Sequence, residues 1–223
     1  MTGRFYTCAM PEALVFDAYG TLYDVHSVVQ RCEAACAGKG MQLSQLWRAK
    51  QLEYTWQRSL MGRYRPFSEV TREALQYACE ALGVKGIDLE PLMAEYQKLK
   101  TYPEVPAALA ALKGRKAILS NGSPDMLDPL VRNSGLALDA VLSVDELKVY
   151  KPAPQVYELA VRRLGVPKER IGFVSSNCWD ALGAKSFGFT VYWINRGGAP
   201  LDRLGFEPDR VIRNLAELGE ILR

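Results

Sequence analysis

The sequence predicts an α/β protein with a doubly wound, Rossmann-like parallel sheet core and a helical cap subdomain inserted into it. Two observations carry this prediction. In the second half of the chain, short β-branched apolar segments alternate with helical patterns, and βαβα alternation specifies parallel strands covered by helices on both faces. One further segment of the same kind, Ala13 to Phe16, stands alone ahead of a long helical tract. The tract therefore interrupts the sheet domain rather than preceding it. The expected division is a core of residues 1–23 and 101–223 with a cap of residues 24–100. A chain of 223 residues, 48% of them hydrophobic, can bury one sizeable core and carry such an insertion.

Taken in order, Ala13–Phe16 is continuously apolar and runs into Asp17 and Gly20, as a strand buried on both faces does before a turn. From Val25 to Lys100 three to five helices are expected. Leu43, Leu46, Trp47, Leu52, Trp56 and Leu60 recur at helical spacing, and Ser68 is placed to cap a helix with Glu69 in its first turn. Breaks are expected near Gly38-Lys39-Gly40, Tyr64-Arg65-Pro66 and Gly83 to Gly86. Beyond Pro103 the period changes. Strands are expected at 116–120, 140–143, 171–175, 190–194 and 210–212, and helices at 105–112, 124–134, 153–164, 179–187 and 215–222.

Composition removes several function classes. Lys and Arg exceed Asp and Glu by only 3, with no long run of like charge, so no basic stripe for nucleic acid is present. The sole histidine is His26, which excludes any site built on two imidazoles and is expected to be a surface or cap residue. Five cysteines, Cys8, Cys32, Cys36, Cys79 and Cys178, are an odd number without a C-x-x-C pair and read as reduced thiols. Cys32 and Cys36, four apart, are expected to pack as small apolar groups. No apolar run long enough for a signal peptide or a membrane span occurs, so a soluble, cytoplasmic protein without membrane partners is expected.

In an open parallel sheet, ligands gather beyond the carboxyl ends of the strands where the strand order reverses. Four polar clusters fall at such ends or at loop tips: Asp17-Ala18-Tyr19-Gly20-Thr21, Ser120-Asn121-Gly122-Ser123, Tyr150-Lys151-Pro152 and Ser175-Ser176-Asn177-Cys178-Trp179-Asp180. Asp17 is the leading candidate. A carboxylate at the end of a buried strand is poorly hydrated, costs stability unless donors or a cation satisfy it, and is suited to act as a nucleophile. The plainer alternative is a turn Asp beside Gly20. Lys151 near Asp17 would keep that carboxylate ionised. Asp180 could instead be a first-turn acid, and Ser176 or Asn177 a helix cap.

These four clusters, together with the cap segment Leu46-Trp47-Arg48 to Tyr54, resemble the haloacid dehalogenase superfamily and, within it, the (S)-2-haloacid dehalogenases. The resemblance covers nearly the whole chain. It implies hydrolysis of short (S)-2-haloalkanoic acids to (R)-2-hydroxy acids, with no cofactor, no metal, a small-molecule substrate as partner and a homodimeric state. By the same resemblance Asp17 attacks the α-carbon, and Arg48, Asn121 and Trp179 receive the halide. Ser120 and the backbone N–H groups of Ala18 and Tyr19 clamp the substrate carboxylate. Tyr19, Leu52 and Phe67 form an apolar wall. Asp180 activates a water placed by Asn177 and Lys151, and Ser175 or Thr21 orients a carboxyl oxygen.

Superfamily phosphatases usually carry a second Asp two residues after the nucleophile, to protonate an alkoxide. Here that position is Tyr19. A halide, the anion of a strong acid, needs no such proton. The resemblance also supplies the alternatives: a magnesium-dependent phosphatase of the same superfamily, or a non-catalytic protein that kept the fold.

Overall fold

The computed structural model describes residues 10–222, so Cys8 lies outside the described part. Six parallel strands form one sheet: β1 (Ala13–Phe16), β2 (Arg115–Ser120), β3 (Ala140–Ser143), β4 (Ile171–Ser175), β5 (Thr190–Ile194) and β6 (Arg210–Ile212). Their order is β3-β2-β1-β4-β5-β6. The chain winds outward from β1 to β3, then crosses back to the other side of β1 as β4. The order reverses between β1 and β4, which are paired in register Phe16 to Val174, and the crevice at their carboxyl ends is where such a sheet binds ligands. Every residue of β1 and β4 is buried, which explains their unbroken apolar runs. Only one residue of each edge strand, β3 and β6, is buried.

Four helices occupy the tract between Val25 and Lys100: α1 (His26–Ala35), α2 (Gly40–Leu60), α3 (Phe67–Ala81) and α4 (Glu90–Glu95). Then come α5 (Val105–Ala111), α6 (Pro124–Ser134), α7 (Pro154–Leu164), α8 (Cys178–Phe187) and α9 (Ala216–Ile221). Parallel neighbours need crossover connections, and helices supply most of them here.

The insertion leaves and rejoins the core at one place. Asp24 N–H donates to the Lys100 carbonyl at 2.8 Å, and Tyr102 N–H to the Leu22 carbonyl at 3.1 Å. Within the insertion, Trp47 is fully buried, donates its indole N–H to the Thr71 carbonyl at 2.7 Å and meets Tyr96 edge-on. Its indole bond is one of the ties that hold α2 against α3.

One local expectation is corrected. Ser68 does not cap α3: the helix begins at Phe67 behind Pro66, and the Ser68 N–H donates instead to the Ser123 hydroxyl at 3.2 Å. Pro66 presets the extended entry to the helix, so no side-chain cap is needed there. The break expected near Gly38-Lys39-Gly40 falls between α1 and α2, and Gly40, the first residue of α2, donates its N–H to the Glu33 carboxylate at 2.9 Å. His26 is exposed at the start of α1, while Cys32 is buried and Cys36 half-buried near its end. No helix among the described residues is long and apolar enough to cross a membrane.

Candidate active site

Asp17 follows the last residue of β1, and its N–H is still held by the Val174 carbonyl of β4 at 2.9 Å, so the sheet itself fixes its backbone. The chain then turns sharply. The Ala18 carbonyl accepts from Thr21, Leu22 and Tyr23, and Gly20 adopts φ +84°, a conformation that side-chain-bearing residues disfavour. The turn returns Thr21 to its own strand end, and its hydroxyl donates to Asp17 Oδ2 at 3.0 Å. Asn177 Nδ2 donates to the same oxygen at 2.9 Å.

Lys151 completes the centre. Its ammonium lies 3.2 Å from Asp17 Oδ1 and 2.9 Å from Asp180 Oδ2, and all three side chains are nearly or wholly inaccessible. The residue comes from the loop before α7 and is buried, not the exposed lysine that its place before a proline would suggest. Burial alone would pull the Lys151 ammonium down, but the negative charges of Asp17 and Asp180 outweigh it and hold the pKa above the ordinary lysine value. Asp180 moves the other way from an ordinary carboxyl. Desolvation and the neighbouring Asp17 charge push it up to about 6, against the opposing pull of Lys151.

The remaining sequence-derived residues fall around this triad with unequal directness. Asn121 is tied in by its Oδ1, which accepts the Lys151 N–H at 3.0 Å and leaves the side-chain amide nitrogen as a donor. The Ser120 hydroxyl accepts the Gly122 N–H at 3.0 Å, and the N–H groups of Ala18 and Tyr19 have no acceptor among the described residues. Of the two hydroxyls considered for orienting a carboxyl oxygen, Thr21 bonds Asp17, whereas Ser175 accepts the Asn177 N–H at 3.2 Å. Ser175 therefore shapes the loop rather than reaching the carboxylate.

Tyr19 and Phe67 pack 6.1 Å apart, both buried, and Tyr96 closes on Tyr19 at 5.8 Å. Burial raises the Tyr19 hydroxyl far above its usual range, so it stays neutral. Leu52, half-buried one turn along α2 from Arg48, is not part of the contiguous core.

Arg48 stands on α2 of the insertion and lines a pocket with Val25, Val28, Met41 and Tyr96. Burial raises the Tyr19 and Tyr96 hydroxyls, and the positive charge of Arg48 opposes that rise. Its guanidinium is aimed by Gln51, a fully buried residue that accepts from Arg48 at 2.6 Å and donates to Thr71 at 2.6 Å. Thr71 in turn donates to the Phe67 carbonyl at 2.6 Å. Trp179, in the first turn of α8, meets Trp56 of α2 edge-on at 5.5 Å.

Three participants escaped sequence reasoning. The Tyr157 hydroxyl donates to Asp180 Oδ1 at 2.9 Å from the buried face of α7. A buried tyrosine usually finds a hydroxyl partner, which is the available sequence signal, but the pattern does not say which residue supplies it. Gln51 orients Arg48 as described. Gly183 of α8 lacks the Cβ that would stand 2.6 Å from the Tyr157 hydroxyl and from Pro152.

Two carboxylates thus share one ammonium in a dry crevice, with a hydroxyl and an amide donating to one of them. The haloacid dehalogenase-like hydrolase family model matches residues 11–188. The chain belongs to the haloacid dehalogenase-like hydrolases.

Within this family it is 50% identical over 218 residues to the (S)-2-haloacid dehalogenase H-109 of Pseudomonas putida, covering 95% of this chain and 97% of that one. It is also 50% identical over 206 residues to the haloacetate dehalogenase H-2 of Moraxella sp. (strain B), covering 89% and 92%. Among solved structures, the L-2-haloacid dehalogenase of Xanthobacter autotrophicus with chloropropionic acid covalently bound superposes with a TM-score of 0.90 at 42% identity, covering 96% of this chain and 99% of that one.

Proposed function

We propose that the protein hydrolyses short-chain (S)-2-haloalkanoates to (R)-2-hydroxyalkanoates through an ester on Asp17, without a metal ion. The observation that carries this is the buried Lys151 ammonium held between Asp17 and Asp180. It lies against both carboxylates where solvent is excluded, and so places a second carboxylate beside the nucleophile.

In the first step an Asp17 oxygen attacks the α-carbon from behind the carbon–halogen bond. The C–O bond forms as the C–X bond breaks, the halide leaves with the electron pair, and the carbon inverts. Arg48, the free amide nitrogen of Asn121 and Trp179 receive the halide, and a permanently charged guanidinium suits that task. The uncommitted N–H groups of Ala18 and Tyr19, with Ser120, hold the substrate carboxylate, sharing the anionic load that Lys151 and Arg48 do not neutralise alone.

In the second step Asp180 takes a proton from a water that attacks the ester carbonyl of Asp17. The hydroxy acid leaves, taking up that proton, and Asp17 retains one oxygen from water. A carboxyl raised to about 6 is a stronger base than an ordinary aspartate yet still ionised at neutral pH.

A divalent cation, used by phosphatases of the superfamily, does not fit the donors present. The two carboxylates already face an ammonium, Ser175 and Asn177 are neutral, and no group of three or more His, Cys, Asp or Glu side chains able to hold a metal ion gathers among the described residues. Tyr19 also leaves an alkoxide without its proton donor. We take residues 24–100 as one cap subdomain, supported by the paired crossing at Asp24 and Lys100, and the free thiols at Cys32, Cys36, Cys79 and Cys178 suit a reducing cytoplasm.

Halide release from each enantiomer of 2-chloropropionate, with and without chelator, tests the reading. Release from the (S) form alone, unchanged by chelator, is expected. Chelator-sensitive release of phosphate from a phosphate ester, without halide release, would favour the phosphatase instead. Multiple turnovers in ¹⁸O-water should place label in Asp17. Label confined to the product under single-turnover conditions would show that water attacks the α-carbon directly.

A further inference from the structure

Arg48 and Trp56 are eight residues apart on α2, so with Leu52 they form one stripe along the same face of the helix, two turns from end to end. The inner end of that stripe is Arg48, held through Gln51 and Thr71 toward Phe67, and the outer end borders a groove of about 480 Å³ lined by Trp56, Leu60, Lys151, Pro152, Trp179 and Leu204 among others. The volume suits a small ligand. Lys151 is the only charged residue in the lining, and its ammonium is already engaged by Asp17 and Asp180. The groove is thus apolar, opens past Leu60 and Leu204, which are 89% and 58% exposed, and ends on two residues of the candidate site.

The two tryptophans of α2 with clear surroundings differ in how they are held. Trp47 is anchored by its indole hydrogen bond to Thr71, whereas the Trp56 ring N–H is enclosed without any acceptor, and the ring is placed by its edge-on contact with Trp179. Nothing polar pins Trp56 at the point where the groove meets the site.

We propose that this groove takes the alkyl tail of the 2-haloalkanoate and that Trp56 sets how long a tail is accepted. The inference rests on the dehalogenase reading above. With the carboxylate, the reacting carbon and the halide occupied at Asp17, Ser120 and Arg48, the carbons beyond C3 need an apolar exit, and the groove supplies one adjoining Trp179. Trp56 across its inner end favours tails of one or two carbons.

The test compares kcat/KM for (S)-2-chloropropionate and (S)-2-bromohexanoate, normalised to the two-carbon bromo acid for the change of halogen. Trp56→Ala should raise the hexanoate-to-propionate ratio at least 10-fold, since one methylene placed in an apolar pocket is worth about 10-fold or more, while propionate itself changes less than about 3-fold. Trp56→Phe should fall between. Leu204→Trp, at the exposed rim, should lower the ratio and guards against a Trp56 variant that does not fold.

A ratio within 2-fold of the parent in both Trp56→Ala and Leu204→Trp overturns the proposal. So does a change in sedimentation without a change in ratio, which would make the groove a contact between copies of the chain. Absence of halide release from the parent with every haloacid strikes the dehalogenase reading itself. Release with an unmoved ratio strikes the groove alone.

Discussion

At the scale of single residues, the centre depends on three charges that could not coexist in isolation. Asp17 and Asp180 would repel each other in a dry site, and Lys151 would be costly without them, so each burial is tolerable only because of the other two. Asp180 carries the pH dependence. Because its carboxyl is raised to about 6, it is protonated and idle below that value. Steady-state turnover should therefore fall about tenfold per unit below pH 6, while the first-turnover release of halide, which needs only Asp17, persists. Stopped-flow and steady-state assays between pH 5 and 8 check this, and a flat steady-state profile would remove Asp180 as the base. Asp17→Asn should abolish halide release altogether. Ser120→Ala should lose about 10²–10³ in rate, the usual effect of removing one well-aimed donor, read from kcat on 2-chloropropionate.

At the scale of elements, α7 and α8 hold the base by close approach. Helix propensity favours Gly183→Ala by about 1 kcal/mol. Against that, the new methyl would meet the Tyr157 hydroxyl and Pro152 at 2.6 Å, well inside contact distance, and overpacking of this kind costs about 1–3 kcal/mol. The clash wins, because both neighbours are tied: Tyr157 by its bonds to Asp180, Pro152 by the chain that carries Lys151. Gly183→Ala should lower stability by about 1–2 kcal/mol in urea denaturation and shift the pH profile of turnover as Tyr157 leaves Asp180.

At the scale of the molecule, Arg196 at the end of β5 ties the sheet to the root of the insertion. Its guanidinium donates to the Gly20 and Thr21 carbonyls at 3.1 Å each and to Glu104 at 2.8 Å, and it lies 3.6 Å over the Tyr102 ring. Arg196→Ala leaves these acceptors unmatched and should cost about 2 kcal/mol, seen as a lower urea midpoint at unchanged slope. Since Thr21 also aligns Asp17, kcat should fall with it.

The sequence by itself determined what depends on neighbours along the chain. The unbroken apolar run of Ala13–Phe16, the change of period after Pro103 and the polar residues at each strand end are local patterns, so the parallel sheet, the interrupting helices and the carboxyl-end location of Asp17 were legible. So was the start of α3 to within two residues, although Pro66 rather than Ser68 governs it. What only the tertiary structure decided is convergence. Lys151 meets Asp17 across 134 positions and Asp180 across 29, and no periodicity encodes which buried charge finds which partner. The Tyr157 bond to Asp180, the Gln51 support of Arg48 and the groove beyond Trp56 belong to the same class. Each is set by how independently formed elements pack, and packing is a property of pairs of surfaces that a single chain pattern does not contain.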